Sequence, residues 1–404
     1  MHLGKFVFAQ IVEFIPRFEF DKCVKRYNGD FHARSLNSYN HLLQLIFGQI
    51  TACTSLRDIC LCLKAHQKNL YHLGIKQNVV HSTLSKANEK RDYRIFQDFG
   101  YYLINQVRPL YANEKIPLVD LENTIFALDS TSISVSINLA AWASGKYSRG
   151  AVKMHTLLDL RGSIPTFIHI SDGVWHDSNL LDCLDFEPNA IYTMDKAYVD
   201  LVALDKINSI GAYFVTRARA IMRYRAIEDR TCYEDGILAD QLVVFTGYKS
   251  SHLYPNALRM IRYHDIETNE TLIFISNNMD ISALNIANIY RNRWQIEVFF
   301  KWIKQNMTVK HMWGYSENAI RTHLWIAIIS YLLIAKIKAD LQTPYSITEV
   351  ARILGVSAFA KIPIRELLAE PQSTIENQKC QRTKIILIKF IEPVLFSGLE
   401  KTKT

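Results

Sequence analysis

Residues Tyr290-Arg-Asn-Arg293-Trp-Gln-Ile-Glu297-Val-Phe-Phe-Lys-Trp-Ile-Lys304 restrict this chain more than any other stretch, because they set one carboxylate among aromatic and cationic side chains. At roughly 100° per residue on an ideal helix, Tyr290, Arg293, Glu297 and Lys304 fall within an arc of about 60°. Offsets of three, four and seven make side chains neighbours along a helix. One face therefore offers a metal ligand with phosphate-seeking cations beside it. The plainer alternative is the solvated polar face of an amphipathic helix, and spacing alone leaves the two equally open.

The pattern Y-x2-R-x3-E-x6-K, with the filler R-W-Q-I-E-x-F-F-K, resembles the Tyr-Arg-Glu-Lys signature of bacterial insertion-sequence transposases of the DDE type. The resemblance implies an RNase H-like catalytic domain, a strand-rich insertion ahead of the glutamate, and two aspartates upstream. Both acids have candidates. Asn123-Thr-Ile-Phe-Ala-Leu-Asp129 reads as a strand apolar on both faces, which predicts a central position in a sheet. An acid there is disfavoured and costly to bury without a partner, so it calls for a cation. In Ala190-Ile-Tyr-Thr-Met-Asp195-Lys-Ala-Tyr198-Val-Asp200 a short β-rich run ends at the acid, the usual place for a ligand crevice in an α/β sheet. The form D-x-A-Y-x-D is similar to the family's second acidic motif, which assigns the metal role to Asp195. Asp200 stays open as an alternative ligand.

Hard oxygen donors suit Mg2+ or Mn2+. If Asp129, Asp195 and Glu297 converge, two such ions about 3.5–4 Å apart would activate a water or a 3′-hydroxyl and stabilise the leaving oxygen. No separate base is then required, and neither G-x-S-x-G nor G-x-x-x-x-G-K-[ST] occurs in the chain. The resemblance further implies that Tyr290, Arg293 and Lys304 bind DNA, that the substrates are double-stranded element ends with terminal inverted repeats and a target duplex, and that a homodimer forms on DNA.

Charge supports the same direction. Residues 1–115 hold 16 Lys and Arg against 9 Asp and Glu (+7), residues 116–290 hold 14 against 21 (−7), and residues 291–404 hold 17 against 9 (+8). Basic ends supply salt-dependent affinity for a phosphate backbone. Seven scattered cysteines make no disulfide framework, which predicts a reducing compartment. The first twenty residues carry Lys5, Glu13, Arg17 and Glu19, unlike a signal peptide. The apolar run Leu324–Ala335 falls short of the ~20 residues that span a bilayer and predicts a buried core helix. The expectation is a soluble, cytoplasmic, nucleoid-associated protein without membrane contact.

The expected fold class is α/β, an RNase H-like mixed sheet with flanking helices and a β-rich insertion, preceded by a helical DNA-binding region. The expected domains are residues 1–115, residues 116–335 with the insertion at about 211–280, and a helical tail at 336–404. Within the first, His81-Ser82-Thr83-Leu-Ser-Lys86-Ala-Asn88-Glu-Lys90-Arg91 begins with a good N-cap, resembles a recognition helix, and offers Lys86, Asn88, Lys90 and Arg91 to DNA. Asp177 or Ser178 is expected to cap the segment that follows. The family's hairpin chemistry stacks a flipped base on an aromatic of the insertion. No Trp lies between Trp175 and Trp294, leaving Tyr248 and Tyr254 as substitutes by composition.

Overall fold

The computed structural model describes residues 4–135 and 150–369. Six helices come first: α1 (Val7–Glu13), α2 (Arg17–Arg26), α3 (Ser38–Ile50), α4 (Leu56–Ala65), α5 (His81–Lys90) and α6 (Arg94–Val107). Strands β1 (Ile125–Val135), β2 (Gly150–Asp159), β3 (Ile164–Asp172) and β4 (Ile191–Met194) follow, then α7 (Leu201–Ser209) and β5 (Tyr213–Arg217). The next segment contributes β6 (Tyr224–Asp229), β7 (Ile237–Phe245), the short α8 (Tyr248–Leu253), β8 (Leu258–Asp265) and β9 (Glu270–Ser276). Helices α9 (Ala283–Asn292), α10 (Trp294–Asn306), α11 (Glu317–Leu341), α12 (Ile347–Val356) and α13 (Ile364–Leu367) complete the described chain.

All nine strands join one sheet in the order β3-β2-β1-β4-β5-β9-β8-β7-β6. The β1–β4 and β4–β5 pairs are parallel, while β2 and β3 form an antiparallel hairpin beside β1. The hairpin turns at Gly162, whose φ of +71° a side chain would strain, as the Arg161-Gly162-Ser163 punctuation predicts. This mixed sheet with flanking helices is the expected α/β class. The strands of the expected insertion are part of the same sheet: β9 pairs antiparallel with β5, and β8, β7 and β6 extend the edge.

Strand β1 is central because both of its faces are apolar. Ile125 and Ala127 point into the cluster shared with α6, α10 and α11, whereas Phe126 and Leu128 point into a second cluster with Tyr192, Met194, Leu204 and Phe214. Side chains alternate faces along a strand, so a strand covered on both sides reads as an unbroken apolar run. The long helix α11 is buried from Leu324 through Ala335, as its composition predicts. It contacts α3, α5 and α6, so the amino-terminal helices and the sheet share one core. Residues up to Leu368 form one compact unit, with no seam near residue 115, and α11 runs unbroken through residue 335. Most of the expected tail, residues 370–404, lies outside the described residues. Among the described residues no helix is long and apolar enough to cross a membrane.

Candidate active site

Parallel pairing places the two aspartates. Leu128 on β1 is in register with Met194 on β4, so Asp129 and Asp195 follow at neighbouring positions on strands about 4.8 Å apart. Strand β4 stops at Met194, and Asp195 opens a single 3-10 turn at Lys196–Tyr198. Glu297 sits in the first turn of α10, which packs on β1. The segment from Tyr290 to Lys304 is two helices instead of one, since α9 ends at Asn292 and α10 begins at Trp294. Arg293 at the junction keeps αR geometry, and shorter i→i−3 bonds, Arg293 N–H to Tyr290 O and Ile296 N–H to Arg293 O, carry the chain through.

The Arg293 guanidinium bridges the acids. Its Nη1 donates to Asp129 Oδ2 at 2.8 Å and its Nη2 to Glu297 Oε1 at 2.8 Å. Tyr290 donates to Asp195 Oδ1 through a long bond of 3.4 Å. Burial raises the Asp129 carboxyl above its ordinary range; the Ser130 N–H and Arg293 oppose this, while the nearby charges of Glu297 and Asp195 reinforce it. The charges of Glu297 and Asp195 are thus felt at Asp129. As drawn the three acids do not coordinate: among the described residues no three acids, histidines or cysteines are arranged to hold a metal ion. A monovalent cation already lies between two of them. The donors are hard carboxylates gathered around a positive charge, a set that fits Mg2+ or Mn2+ once that charge gives way.

Asp129 and Glu297 open onto a groove of about 450 Å³ that is also lined by Ser130, Lys301, Lys304 and Lys310. Lys304 thus shares a surface with the acids, and Arg293, expected to hold phosphate, holds carboxylates instead. Burial lowers the pKa of Lys304, and neighbouring Lys310 lowers it further. Lys301 stands one turn after Glu297 on α10 and belonged to the expected filler; Lys310 lies beyond the motif, where helical spacing gave no signal.

A polar network behind β1 also escaped the linear reading. Asp177 Oδ1 accepts from Ser130 Oγ at 2.8 Å and from Lys153 Nζ at 3.2 Å, and Lys153 also donates to Trp175 O. Asp177 does not cap: the turn Asp177–Cys183 has His176 at its N-cap and no capping side chain. Its carboxylate is drawn instead to a lysine and a hydroxyl on neighbouring strands. Asp200 does cap, accepting from the Val202 and Ala203 N–H groups, which spends it on α7. Arg219 donates to Lys196 O and Ala197 O and so ties down the turn that carries Asp195.

His155 lies fully buried beside Asp177, with Nδ1 3.5 Å from Oδ1. Ser171 Oγ donates to Asp172 O, so it accepts from His155 Nε2 at 2.9 Å. Burial pushes the imidazole down from 6.5 to about 4. A depressed histidine stabilises the fold above its unfolded pKa, and the benefit is lost as pH falls from about 6.5 to 4. By linkage the loss reaches about 3 kcal/mol. Urea unfolding of His155→Gln, compared with the parent at both ends of this window, should show about 3 kcal/mol less loss of stability between them; equal losses would exclude a buried neutral His155.

Helix α5 presents three faces, and the sequence merged them. Leu84 and Asn88 face inward four residues apart, and Arg91 follows α5 as its extended C-cap. Asn88 Oδ1 meets His41 Nε2 at 2.7 Å, and the Arg91 guanidinium donates to Gly29 O and Leu36 O with only 7% of its side chain exposed. Asn88 and Arg91 are thus internal ties, whereas Lys86 and Lys90 are exposed. The expected N-cap is not formed: Val80 stands at that position without a side-chain cap. In the strand-rich region Tyr254 is buried and cannot stack on a base, while Tyr248 is 84% exposed.

Residues 120–333, more than half of the chain, match the family model described as a transposase DDE domain. Residues 3–76 match a domain of unknown function, DUF4372. The chain is 28% identical over 255 residues to a Sinorhizobium fredii protein named as a transposase, y4zB, covering 62% of this chain and 69% of that one. It is 25% identical over 258 residues to a Geobacillus stearothermophilus protein named as the transposase of insertion sequence element IS5377, covering 63% and 66%. A Synechocystis protein named as the transposase of IS4SA is 27% identical over 296 residues, covering 72% and 81%. Among solved structures, a piggyBac transposase synaptic complex with hairpin DNA aligns over 98% of this chain and 86% of its own, with a TM-score of 0.44 and 10% identity.

Proposed function

Because this chain belongs to the DDE transposase family, we propose that it cleaves the ends of an insertion sequence and transfers the resulting 3′-hydroxyl strand into target DNA, with Asp129, Asp195 and Glu297 as the ligands of two divalent ions. The observation that supports this reading is that Arg293 joins Asp129 and Glu297 on a groove edged by lysines, while the parallel register of β1 with β4 sets Asp195 beside Asp129. When bound, Mg2+ or Mn2+ supplies Lewis acidity to the attacking and leaving oxygens of an in-line displacement. The protein's own groups do the rest. Lys304, with its charge partly desolvated, holds a phosphate of the strand beside the acids. Tyr290 orients Asp195. Arg293 neutralises Asp129 and Glu297 in the resting site and turns to a DNA phosphate oxygen on binding, a planar donor fork being suited to either partner. Asp177, Lys153 and Arg219 fix the backbone from which the acids project. Lys86 and Lys90 contact phosphates from α5, and Tyr248 is the exposed aromatic available to a displaced base. Two element ends require a homodimer on double-stranded DNA carrying the terminal inverted repeats.

The test is a joining assay. Labelled duplexes copied from the DNA flanking the gene, incubated with the protein, a target plasmid and Mg2+ or Mn2+, should yield plasmid carrying the label at the transferred 3′ end. Cleavage without joined product would make the protein a nuclease alone. Neither product, with duplex still bound, would reduce it to a DNA-binding derivative.

A further inference from the structure

A second groove, of about 700 Å³, lies between the amino-terminal helices and the start of α11. Its walls include Arg57 from α4, His81, Ser85 and Glu89 from one face of α5, and Tyr315 from the segment leading into α11. His81, Ser85 and Glu89 stand four residues apart and so line one side of the helix. Lys86 and Lys90, each one position further along, stand about 100° away on its exposed side. Tyr315 is 53% exposed. Among the described residues neither Arg57 nor Lys310 is ion-paired with a carboxylate. Glu89 is the one carboxylate in the described lining.

The two grooves share a stretch of chain. Lys310 lines the groove of the acids, and Met312 through Ser316 line the second. Five residues separate Lys310 from Tyr315, a reach of at most about 17 Å for extended chain. At ~3.4 Å per base step along one strand, that reach covers no more than about five base pairs. Cations left without a carboxylate partner, beside an exposed aromatic ring and an accessible lysine face, match a phosphate backbone with sugar or base edges against the ring.

We propose that the segment Lys310–Ser316 is a DNA track joining the acid groove to the groove of Arg57, His81 and Tyr315, so that the double-stranded flank of the cleaved end lies against α4 and α5. This rests on the transposase reading for the identity of the duplex, and it extends that reading by assigning Arg57, Lys310 and Tyr315 to the flank. The α5 surface meets DNA through the edge of a groove, with Lys86 and Lys90 on its rim.

Fluorescence anisotropy of a duplex from the gene's flanking DNA, without metal, measures the binding constant between about 50 and 200 mM salt. Arg57→Gln and Lys310→Gln should each reduce the slope of log K against log salt by about 0.9, one phosphate's share. Lys68→Gln, an exposed lysine outside both linings, should not. Hydroxyl-radical footprinting of Arg57→Gln should lose protection within about five base pairs of the cleavage position and keep it elsewhere. Unchanged melting temperatures verify that the variants fold. Slopes equal to the parent for both variants overturn the proposal, and so does a change confined to Lys310→Gln, which would end the track at the acid groove. Failure of the transposase reading is distinguishable: cleavage and joining with unaltered slopes removes only the track, whereas altered slopes without any strand cleavage remove only the catalytic reading.

Discussion

Glu297→Gln lowers strand cleavage and end joining by at least about a thousandfold, an increase of roughly 4 kcal/mol in the barrier at 1.36 kcal/mol per decade, and leaves duplex affinity within about twofold. The amide is nearly isosteric with the carboxylate, so α10 keeps its packing through Ile296 and Phe300 on the core. What disappears is the negative charge that a divalent cation needs, and a neutral amide oxygen is a much poorer ligand for a hard ion. Arg293 loses one of its two carboxylates but keeps Asp129 at 2.8 Å, so the resting site does not collapse. Gel assays of cleavage and joining, run beside anisotropy on the same preparation, separate the two effects. Cleavage retained within tenfold of the parent would remove Glu297 from the chemistry and with it the convergence of three acids as the basis of function.

Arg293→Gln binds Mn2+ about tenfold more tightly than the parent when DNA is absent, yet cleaves poorly. In the parent, a metal ion entering between Asp129 and Glu297 must first displace a guanidinium paired to both, with only 14% of the Arg293 side chain exposed. Removing it leaves both carboxylates without their paired cation, and a partly buried charge left without a partner is the costly outcome that a divalent ion relieves. A tenfold change corresponds to about 1.4 kcal/mol, modest for two charge-assisted bonds because Asp129 and Glu297 keep 21% and 34% of their side chains in solvent. Cleavage falls because the phosphate then lacks its planar donor. Isothermal titration with Mn2+, in metal-free protein with and without duplex, reads the first effect independently of turnover. In the parent, duplex should tighten Mn2+ binding by drawing Arg293 away; in the variant that coupling should vanish. Equal or weaker metal affinity for the variant would show that Arg293 does not guard the site.

The linear sequence carried the candidates for the proposed site because they sit where local rules are strong. Glu297 and Lys304 share one helix, Tyr290 and Arg293 precede it at helical spacing across a junction, and Asp129 and Asp195 each follow an apolar run that reads as a covered strand. The same rules misdirected α5. An inward polar pair, Asn88 and Arg91, is indistinguishable by spacing from an outward one, and only the buried partners His41, Gly29 and Leu36 decide it. Tyr248 and Tyr254 illustrate the same limit: six residues apart, one is open to solvent and the other is buried against Phe214 and Phe245.

By itself, then, the sequence carried the covered strands, the acids that follow their apolar runs and the basic balance of the two ends, through periodicity and composition. Tertiary structure alone decided how those charges meet. The parallel register of β1 with β4, the bridge of Arg293 across Asp129 and Glu297, and the linking of two grooves by residues 310–316 all join positions far apart in the chain. Local propensity carries no information about such pairs, because they are selected by the packing of α10 and α11 against the sheet, where non-local burial outweighs neighbour preferences.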